Sequence, residues 1–220
     1  MSGPRTRGRP GAGRRVVVTA GPTREHLDPV RYLSNESSGK MGFAIAREAR
    51  RQGATVVLIA GPVSLSTPRG VERVDVTSGR EMLAATRAAF ARADALFMCA
   101  AVADWRPRRK RAGKWRQKDG GREVASLELV RNPDILATIA RRKGGKLVVG
   151  FALETGGGMA RARAKLHRKG ADYIVLNDAA ALGADRTSVA ILGRDGSLRV
   201  MADRPKREVA AALVRLPPVG

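Results

Sequence analysis

Four consecutive residues, Ser37, Ser38, Gly39 and Lys40, have the chemistry of an anion-binding site. They place two hydroxyl groups, a glycine backbone and a lysine directly before an apolar segment with helical spacing. The N-terminus of a helix offers free backbone N–H groups and the positive end of the helix dipole, and both favour a phosphate or a carboxylate. We therefore predict an anion site here, with a plain serine cap on the helix as the alternative.

Asp104 is a second candidate, because it follows an apolar run (95–101, ALFMCAA) and has basic residues around it. A carboxylate in this position can help to bind a nucleotide or its magnesium ion. The alternative is a structural role, in which Asp104 caps the following segment or pairs with Arg106.

The segment 102–121, which contains Asp104, is polar, basic and glycine-containing, and it holds both tryptophans. We predict a flap that closes over a phosphate-rich ligand, with a solvated charged surface as the alternative. Its basic residues are Arg106, Arg108, Arg109, Lys110, Arg111, Lys114, Arg116 and Lys118.

Two lysines and one cysteine complete the set of candidate residues. Lys165 and Lys169 lie one helical turn apart and therefore face the same way, either toward a ligand or toward solvent. Cys99 lies inside an apolar run and is predicted to be a small buried hydrophobic residue. Because it is the only cysteine, the sequence excludes an intrachain disulfide and a thiolate metal cluster. Only two histidines are present, which argues against a histidine-rich metal site.

Apolar runs and helical periodicities alternate along the chain and predict the elements that position these residues. Predicted core strands are 15–20, 55–60, 71–76, 95–101, 146–153 and 172–176. Predicted helices are 41–52, 79–93, 132–142, a segment ending at 169, and 205–216. An exposed antiparallel strand is predicted at 123–130, and a C-terminal β-hairpin at 187–192 and 198–202 around the turn signal Asp195-Gly196.

This alternation predicts an α/β fold with a three-layer, doubly wound, mostly parallel, Rossmann-like sheet, a flap and a C-terminal β-hairpin. Ligands of such folds bind at the carboxyl ends of the strands. The segments 21–40, 101–121, 154–158 and the chain from 177 onward all follow strands, so we expect them to meet at one rim. The first is far longer than the usual connection of about two to six residues, which indicates a functional loop.

The 220 residues predict a single α/β domain at 15–220 after a disordered basic tail at 1–14. No apolar run approaches the roughly 18 to 20 residues of a membrane span, so a cytoplasmic protein is expected. The net charge of +22 (42 basic minus 20 acidic residues) would suit nucleic acid, but the clustered part suits a polyanionic small molecule equally well. No dinucleotide-binding glycine fingerprint follows the first strand, which disfavours an NAD-type oxidoreductase.

Several long segments resemble phosphopantothenoylcysteine synthetase, the ligase half of the bacterial bifunctional coenzyme A biosynthesis protein. They span about 14–216 and read TAGPTREHLDPVRYLSNESSGKMGFAIA, AGPVSL, CAAVADWRP, LELVRNPDIL, VVGFALET and DYIVLND. The sequence has no match to the decarboxylase half with its flavin site. The resemblance therefore implies a stand-alone synthetase or a separated domain, with a separate decarboxylase as an expected partner.

The resemblance implies a ligase that joins phosphopantothenate to cysteine with CTP as co-substrate and Mg²⁺. The carboxylate of phosphopantothenate attacks the α-phosphate of CTP, which releases pyrophosphate and forms an acyl-cytidylate. The amine of cysteine then attacks the activated carbonyl and expels CMP. The family forms dimers through the hairpin and flap region, so a homodimer is expected. ATP in place of CTP stays open, as does the alternative of a basic α/β nucleic-acid-binding module.

Site residues are carried over from the family by position. Arg31 and Asn35 are expected to be catalytic, with Asn35 acting on the acyl-cytidylate, and Lys114 is expected to neutralise phosphate charge in the first step. Ser37 to Lys40 become candidates for the phosphate of phosphopantothenate, and Asp104 the candidate metal ligand. The expected nucleotide-binding residues are Met98, Cys99, Ala100, Asp104, Asn132, Pro133, Asp134, Ile135, Phe151, Lys165 and Lys169.

The flap departs from the family pattern of a lysine, any residue and two lysines. Here it reads Lys114-Trp115-Arg116-Gln117-Lys118. Arginine does not replace lysine freely at a reactive phosphate, so the roles of Arg116 and Lys118 stay open.

Overall fold

A computed structural model describes residues 11–116, 126–154, 158–178 and 183–219. The strands in this part of the chain are β1 Arg15–Ala20, β2 Arg24–His26, β3 Tyr32–Ser34, β4 Thr55–Ala60, β5 Glu72–Asp75, β6 Ala95–Met98, β7 Trp105–Pro107, β8 Leu129–Arg131, β9 Leu147–Glu154, β10 Tyr173–Asp178, β11 Arg186–Gly193 and β12 Leu198–Pro205. The helices are α1 Lys40–Arg51, α2 Gly79–Phe90, α3 Ile135–Ala140, α4 Gly158–Lys169 and α5 Lys206–Val214.

Eight of these strands form one sheet with the spatial order β12-β11-β10-β9-β6-β1-β4-β5. Six neighbouring strands of this sheet are parallel, in the spatial order β5-β4-β1-β6-β9-β10. Numbered by their order in the chain, these six strands run 3-2-1-4-5-6. That order is the doubly wound order of Rossmann-like folds. Strands β11 and β12 add an antiparallel hairpin at one edge. The predicted fold is therefore confirmed.

The central strands are apolar throughout because helices cover both faces of the sheet. In β1 the residues Val16, Val17 and Val18 are all buried. Helices α1 and α5 pack on one face, and α2, α3 and α4 on the other, which produces two separate apolar clusters. Each large apolar side chain in these clusters contributes about 1.5–3 kcal/mol through burial.

Local polar contacts fix the start of helix α2. Helix α2 begins with a capping box, in which Ser78 accepts from the N–H of Glu81 (3.3 Å) and the Glu81 carboxylate accepts from the N–H of Thr77 (2.8 Å). The buried Glu25 carboxylate also accepts from the N–H of Gly79 (2.8 Å), so it joins the first loop to this helix. No helix in the described residues is both long and apolar enough to cross a membrane.

The long first connection is not a plain loop, because β2 and β3 pair within it as an antiparallel hairpin. A second small sheet pairs β7 with β8, so the start of the flap is a strand. The exposed strand predicted at 123–130 is observed only from Leu129 and continues to Arg131, while 123–125 lie outside the described residues. Two short sheets therefore flank the rim where ligands of this fold bind.

Several boundaries differ from the sequence prediction; for example, α2 ends at Phe90 and not at 93, and α3 begins at Ile135 and not at 132. Residues 11–14, assigned to the tail, pack on the domain: the N–H of Gly11 donates to the carbonyl of Gln52 (3.0 Å), and the carbonyl of Arg14 accepts from Thr55 (2.9 Å). The remaining tail, 1–10, lies outside the described residues. Strand β6 ends at Met98 and not at 101, because the chain turns at Cys99 and then pairs with the segment after β1.

Candidate active site

The crevice of the fold lies between the carboxyl ends of β1 and β6, where the strand order reverses. Two fully buried threonines hold its walls together. The hydroxyl of Thr19 accepts from the N–H of Ala100 (3.1 Å), and the hydroxyl of Thr23 accepts from the N–H of Ala103 (3.0 Å). The N–H of Ala101 donates to the carbonyl of Gly21 (2.9 Å). The segment after β6 is therefore fixed in register with the segment after β1.

A first cavity of about 460 Å³ opens at this crevice. It is lined by every residue that the sequence assigns to the nucleotide except Cys99. These residues come from four different elements, which meet because the parallel strands end at the same edge. The sequence did not mark Trp105 or Arg131, which also line this cavity. Both belong to the small sheet of the flap, whose position only the tertiary structure defines.

Two lysines of α4 form one side of the first cavity. The Nζ of Lys165 donates to the carbonyl of Phe151 (2.7 Å), and Lys169 forms an ion pair with Asp134. Asp134 also caps α3 by accepting from the N–H of Ala137 (3.0 Å). Burial acts to raise the pKa of Asp134, but the hydrogen bonds from Lys169 and Ala137 outweigh it and lower the pKa. The cavity therefore holds a charged lysine and carboxylate pair beside an apolar floor.

Asn132 presents a buried acceptor at this cavity. Its Nδ2 donates to the carbonyl of Ala103 (2.8 Å) and its backbone N–H to the carbonyl of Asp104 (2.8 Å). Its Oδ1 is buried without a hydrogen-bond partner among the described residues. A buried acceptor left unpaired costs about 1–3 kcal/mol, so a ligand that offers an N–H donor here would be stabilised.

Ser37, Ser38, Gly39 and Lys40 line a second cavity of about 150 Å³. Gly39 is the N-cap of α1 and adopts the left-handed conformation (φ 75°). The Ser37 hydroxyl accepts from the N–H of Gly39 (3.4 Å), and the Ser38 hydroxyl accepts from the N–H of Lys40 (3.5 Å), the first residue of the helix. The serine-cap alternative therefore stays open beside the anion site. The backbone N–H groups of the first turn keep the arrangement that suits an anion.

Two ammonium groups serve this second cavity. The Nζ of Lys40 donates to Asp185 (2.8 Å) and to the carbonyl of Gly183 (2.7 Å), while Lys206 at the start of α5 bonds to the carbonyl of Ala184. Burial lowers the pKa of Lys206, and the nearby charge of Lys40 lowers it further against an opposing effect of Asp185. An anion between the two lysines would relieve their repulsion. No sequence signal marked Lys206, because it lies far from Lys40 in the chain and only the fold brings the two together.

The two cavities share a wall that consists of Ala100 and Phe151. Cys99 lines the second cavity and not the first, because β6 ends one residue before it. The residue is half-buried, so the predicted full burial is not observed, and burial raises the pKa of its thiol to about 12. Asn177 at the end of β10 also lines the second cavity, and its Oδ1 is buried without a partner in the described part of the chain.

The three residues expected to be catalytic line neither cavity. The Nδ2 of Asn35 donates to the carbonyl of Val102 (3.1 Å), and Val102 lines the first cavity, so Asn35 lies at its edge. Arg31 bonds to the carboxylate of Asp28 and to the carbonyl of Trp115 in the flap. Lys114 is exposed and precedes Trp115 directly. Arg31 and the flap lysine are therefore brought to one side of the rim, while Lys118 lies outside the described residues.

Asp104 is exposed at the first cavity. The described residues contain no group of three or more His, Cys, Asp and Glu that could hold a metal by themselves. Magnesium in nucleotide enzymes is commonly bound by one or two carboxylates together with substrate phosphates. Of the two carboxylates among the described residues that line the first cavity, Asp134 is paired with Lys169, so Asp104 stays the candidate ligand.

The family described as DNA/pantothenate metabolism flavoprotein C-terminal domain matches residues 11–216. The chain belongs to this family. A relative in this family, the coenzyme A biosynthesis bifunctional protein CoaBC of Vibrio cholerae, is 48% identical over 172 residues, which are 78% of the chain and 43% of the relative. The chain spans about half the length of the curated relatives it matches.

Two solved structures have the same fold. The C-terminal domain of CoaBC has a TM-score of 0.81 and 38% identity, with 94% of this chain and 95% of that chain covered. A Cab2 mutant in complex with phosphopantothenate-cysteine has a TM-score of 0.74 at 15% identity, covering 91% of this chain and 85% of that chain. The resemblance to the bifunctional coenzyme A biosynthesis protein is thus confirmed, and it lies in the C-terminal domain of that protein.

Proposed function

We propose that the chain is a phosphopantothenate–cysteine ligase that activates phosphopantothenate with CTP. The observation that carries the proposal is the pair of adjoining cavities, one suited to a nucleotide and one to a phosphate, which meet at Ala100 and Phe151. The reaction needs a nucleotide and a phosphorylated acid side by side, with the acid's carboxylate at the nucleotide α-phosphate. The membership of CoaBC proteins in the same family supports this assignment.

In the first step a carboxylate oxygen of phosphopantothenate forms a bond to the α-phosphorus of CTP. The bond from that phosphorus to the bridging oxygen of the β-phosphate breaks, and pyrophosphate leaves. In the second step the amine of cysteine attacks the acyl carbon, the carbon–oxygen bond to CMP breaks, and the amine loses a proton to solvent. The product is an amide, and CTP supplies the free energy.

The residues of the chain act by position and charge in this proposal. The first turn of α1 with Lys40 and Lys206 holds the phosphate of phosphopantothenate, so that its carboxylate extends past Ala100 toward the first cavity. Lys114 offsets the negative charge that two anions create when they meet. Asn35 at the edge of the first cavity holds the acyl-cytidylate for cysteine. Magnesium bound by Asp104 and the nucleotide phosphates would supply further positive charge.

The proposal is tested by following both products. Purified protein should release pyrophosphate from CTP only when phosphopantothenate is present, and CMP and amide only when cysteine is added. Asn35→Asp should leave pyrophosphate release substantially intact while it abolishes the amide, so that acyl-cytidylate accumulates. Lys114→Gln should impair pyrophosphate release itself. Equal loss of both half-reactions in Asn35→Asp, or undiminished cytidylate formation in Lys114→Gln, would remove these residues from their roles.

The choice between CTP and ATP has a direct readout. We propose CTP, and the unpaired acceptor of Asn132 is suited to an amino group of the base. Both bases carry such a group, so the comparison must be made by binding. Thermal unfolding should shift to higher temperature with CTP more than with ATP at equal concentration, because a ligand that binds only the folded state stabilises it. A larger shift with ATP would replace CTP in the proposal.

One observation supports a second candidate, the basic α/β nucleic-acid-binding module. Arg80, Arg87, Arg106 and Arg131 line a third cavity of about 450 Å³, and among the described residues no carboxylate lines it. Phosphate backbones bind such surfaces with an affinity that falls steeply with salt. If the purified protein releases no pyrophosphate yet binds duplex DNA tightly at physiological salt, this candidate replaces the ligase.

We also propose that the chain forms a homodimer and works with a separate decarboxylase. Large apolar residues are exposed on and beside the two small sheets, namely Val30, Tyr32, Trp105, Leu127 and Leu129. A surface with this many exposed apolar residues is typical of an interaction site. The CoaBC relatives are bifunctional, and this is the basis for proposing a decarboxylase partner.

A further inference from the structure

Asp28 is a fully buried carboxylate in the hairpin between β2 and β3, and both of its oxygens are used. Its Oδ1 accepts from the backbone N–H groups of Val30 (2.8 Å) and Arg31 (2.8 Å). Its Oδ2 accepts from the guanidinium Nε of Arg31 (3.0 Å) and from the backbone N–H of Trp115 (3.1 Å). One oxygen therefore shapes the local turn, and the other reaches a segment 87 positions away.

Further contacts hold the same two segments together. The N–H of Arg111 donates to the carbonyl of Leu27 (2.8 Å), and the guanidinium of Arg31 bonds to the carbonyl of Trp115. The guanidinium of Arg111 lies over the indole ring of Trp115, 4.4 Å from its centre. Among these groups Asp28 is the one that bonds to both Arg31 and Trp115 with a charged, buried acceptor. Hydrogen bonds to an ionised group are about twice as strong as neutral ones.

The turn alone does not require the second oxygen of Asp28. Asp195 makes a turn of the same kind in the β11–β12 hairpin with one oxygen, which accepts from the N–H of Ser197 (3.0 Å) and from its hydroxyl (2.6 Å). Asp195 is exposed, whereas Asp28 is removed from solvent. Burial acts to raise the pKa of Asp28, but the N–H groups of Arg31, Val30 and Trp115 and the Arg31 guanidinium lower it far below its usual range. Asp28 is thus ionised where it meets the flap.

The bond to Trp115 acts on Lys114 through the backbone. A peptide group is planar, so the nitrogen of Trp115 and the Cα of Lys114 lie in one rigid unit. A hydrogen bond that fixes this N–H therefore fixes the point from which the Lys114 side chain extends. The other two bonds of the cluster fix Arg31 at the same time.

We propose that Asp28 is a positioning residue that sets the flap lysine, Lys114, relative to Arg31. This inference rests on the proposed ligase function, in which both residues act at the rim of the active site. Asp28 touches neither cavity, so it acts only through the residues that it holds. A misplacement of about 1 Å in a reacting group can cost about 100-fold in rate, which makes such a contact valuable.

The first test reads the contact without any substrate. Trp105→Phe leaves Trp115 as the single tryptophan, so that acrylamide quenching of fluorescence reports the exposure of the flap. Asp28→Asn added to this background replaces one acceptor by an amide donor and should raise the quenching constant at least about twofold. Asp195→Asn is the matched control, since it alters a turn carboxylate that has no contact with the flap, and it should change nothing. Unchanged quenching in Asp28→Asn would overturn the inference.

The second test asks whether Asp28 acts through Lys114. Asp28→Asn should lower kcat for pyrophosphate release about 10- to 100-fold, while KM for CTP changes less than about twofold. In a Lys114→Gln background the same substitution should cost less than about twofold more. Independent losses that multiply in the double variant would show that Asp28 does not work through the lysine.

The two tests separate the possible failures. If the unsubstituted protein shows no ligase activity, the proposed function fails, while the quenching result still decides whether Asp28 holds the flap. If Asp28→Asn does not fold by circular dichroism, Trp115→Pro takes its place, because proline removes the N–H donor. Proline also removes the indole that Arg111 contacts, so Trp115→Ala, which keeps the N–H, is its control. Pyrophosphate release in Trp115→Pro should fall as it does for Asp28→Asn. Full activity of Trp115→Pro would overturn the inference.

Discussion

Lys40 and Asp185 are 145 positions apart in the chain, yet the Nζ of Lys40 lies 2.8 Å from Oδ1 of Asp185. This ion pair joins the first turn of α1 to the segment before β11 at the edge of the second cavity. A phosphate that enters this cavity meets a lysine that already has a carboxylate partner. The charge of Lys40 is therefore shared between the protein and the ligand.

Substitution of Asp185 by asparagine should strengthen phosphate binding. Lys40 would keep its bond to the carbonyl of Gly183, while the competing negative charge is removed. Exposed ion pairs are worth about 0.2–1 kcal/mol, so the dissociation constant for phosphopantothenate should fall about 1.5- to 5-fold. Calorimetric titration measures this change. Asp203→Asn removes another exposed carboxylate, which pairs with Arg186, and should leave the constant unchanged. Weaker binding in Asp185→Asn would show that the carboxylate helps the site.

The thiol of Cys99 should be unreactive in the folded protein. Burial raises its pKa to about 12, although Lys206 acts in the opposite direction. Because the thiolate is the reactive form and a free cysteine has a pKa near 8.5, labelling by a disulfide reagent at pH 8 should be about 1000-fold slower than in guanidinium chloride. Labelling of native protein at the rate of the unfolded chain would contradict the raised pKa of the thiol.

The same pKa shift predicts a loss of stability at alkaline pH. The folded state holds the Cys99 proton more tightly than the unfolded state, so the stabilising contribution is complete below about pH 8.5. It declines as the pH rises from there toward 12. Cys99→Ala lacks this group, so its free energy of unfolding should fall less between pH 8.5 and 10.5 than that of the unsubstituted protein. Parallel pH profiles from urea unfolding would exclude Cys99 as the source.

Gly61→Ala should be strongly destabilising. A Cβ atom at Gly61 would lie 1.7 Å from the carbonyl oxygen of Pro22. Pro22 itself forms a β-bridge with Ala101 in the segment after β6. Overpacking against backbone costs about 1–3 kcal/mol, and here it also displaces one wall of the crevice. At Gly145 a Cβ would meet nothing within 4 Å, so Gly145→Ala is a matched control that should stay within about 0.5 kcal/mol. Equal urea midpoints for the two variants would contradict the close approach.

The proposed homodimer is tested by charges placed on two different exposed surfaces. Leu129 lies on β8 in the flap sheet, and Val200 lies on β12 at the edge of the main sheet. Leu129→Asp and Val200→Asp should each convert the protein to a monomer, since the flap and the hairpin are both expected at the interface and each substitution places a charge at an exposed apolar position. Light scattering coupled to size-exclusion chromatography gives the mass. Dissociation by Val200→Asp alone would move the interface to the hairpin, and a monomer without any substitution would exclude the dimer.

The parallel core could be predicted from sequence because its signal is local. Strands β1, β4 and β9 are short apolar runs, as burial on both faces requires, and their spacing leaves room for crossover helices. The hairpin of β2 and β3 could not be predicted, since REH and YLS are three-residue strands without alternation. Their order depends on tertiary contacts, such as the bond between Glu25 and Gly79, that a sequence pattern does not contain.

In the candidate site, too, residues close to core strands could be predicted, and residues placed by tertiary contacts could not. Asp104 lies in the segment after β6 and Phe151 lies in the carboxyl half of β9, so the convergence of parallel strands at one edge predicts that they meet. Lys206 and Arg131 escaped notice because they come from the last helix and the flap sheet, where nothing in the local pattern marks a ligand. Cys99, which is assigned to the nucleotide by its position in the family, lines the second cavity and not the first, because β6 ends at Met98.

The shared wall of Ala100 and Phe151 also bears on which acids the proposed ligase would activate. With the phosphate fixed at the first turn of α1, the carboxylate reaches the nucleotide only if the arm between the two groups spans this wall. The site would then select substrates by length, because the uncharged wall of Ala100 and Phe151 sets the distance between the phosphate and the nucleotide. A shorter phosphorylated acid would still bind in the second cavity. Its carboxylate would not reach the α-phosphate, however, and CTP would not be consumed.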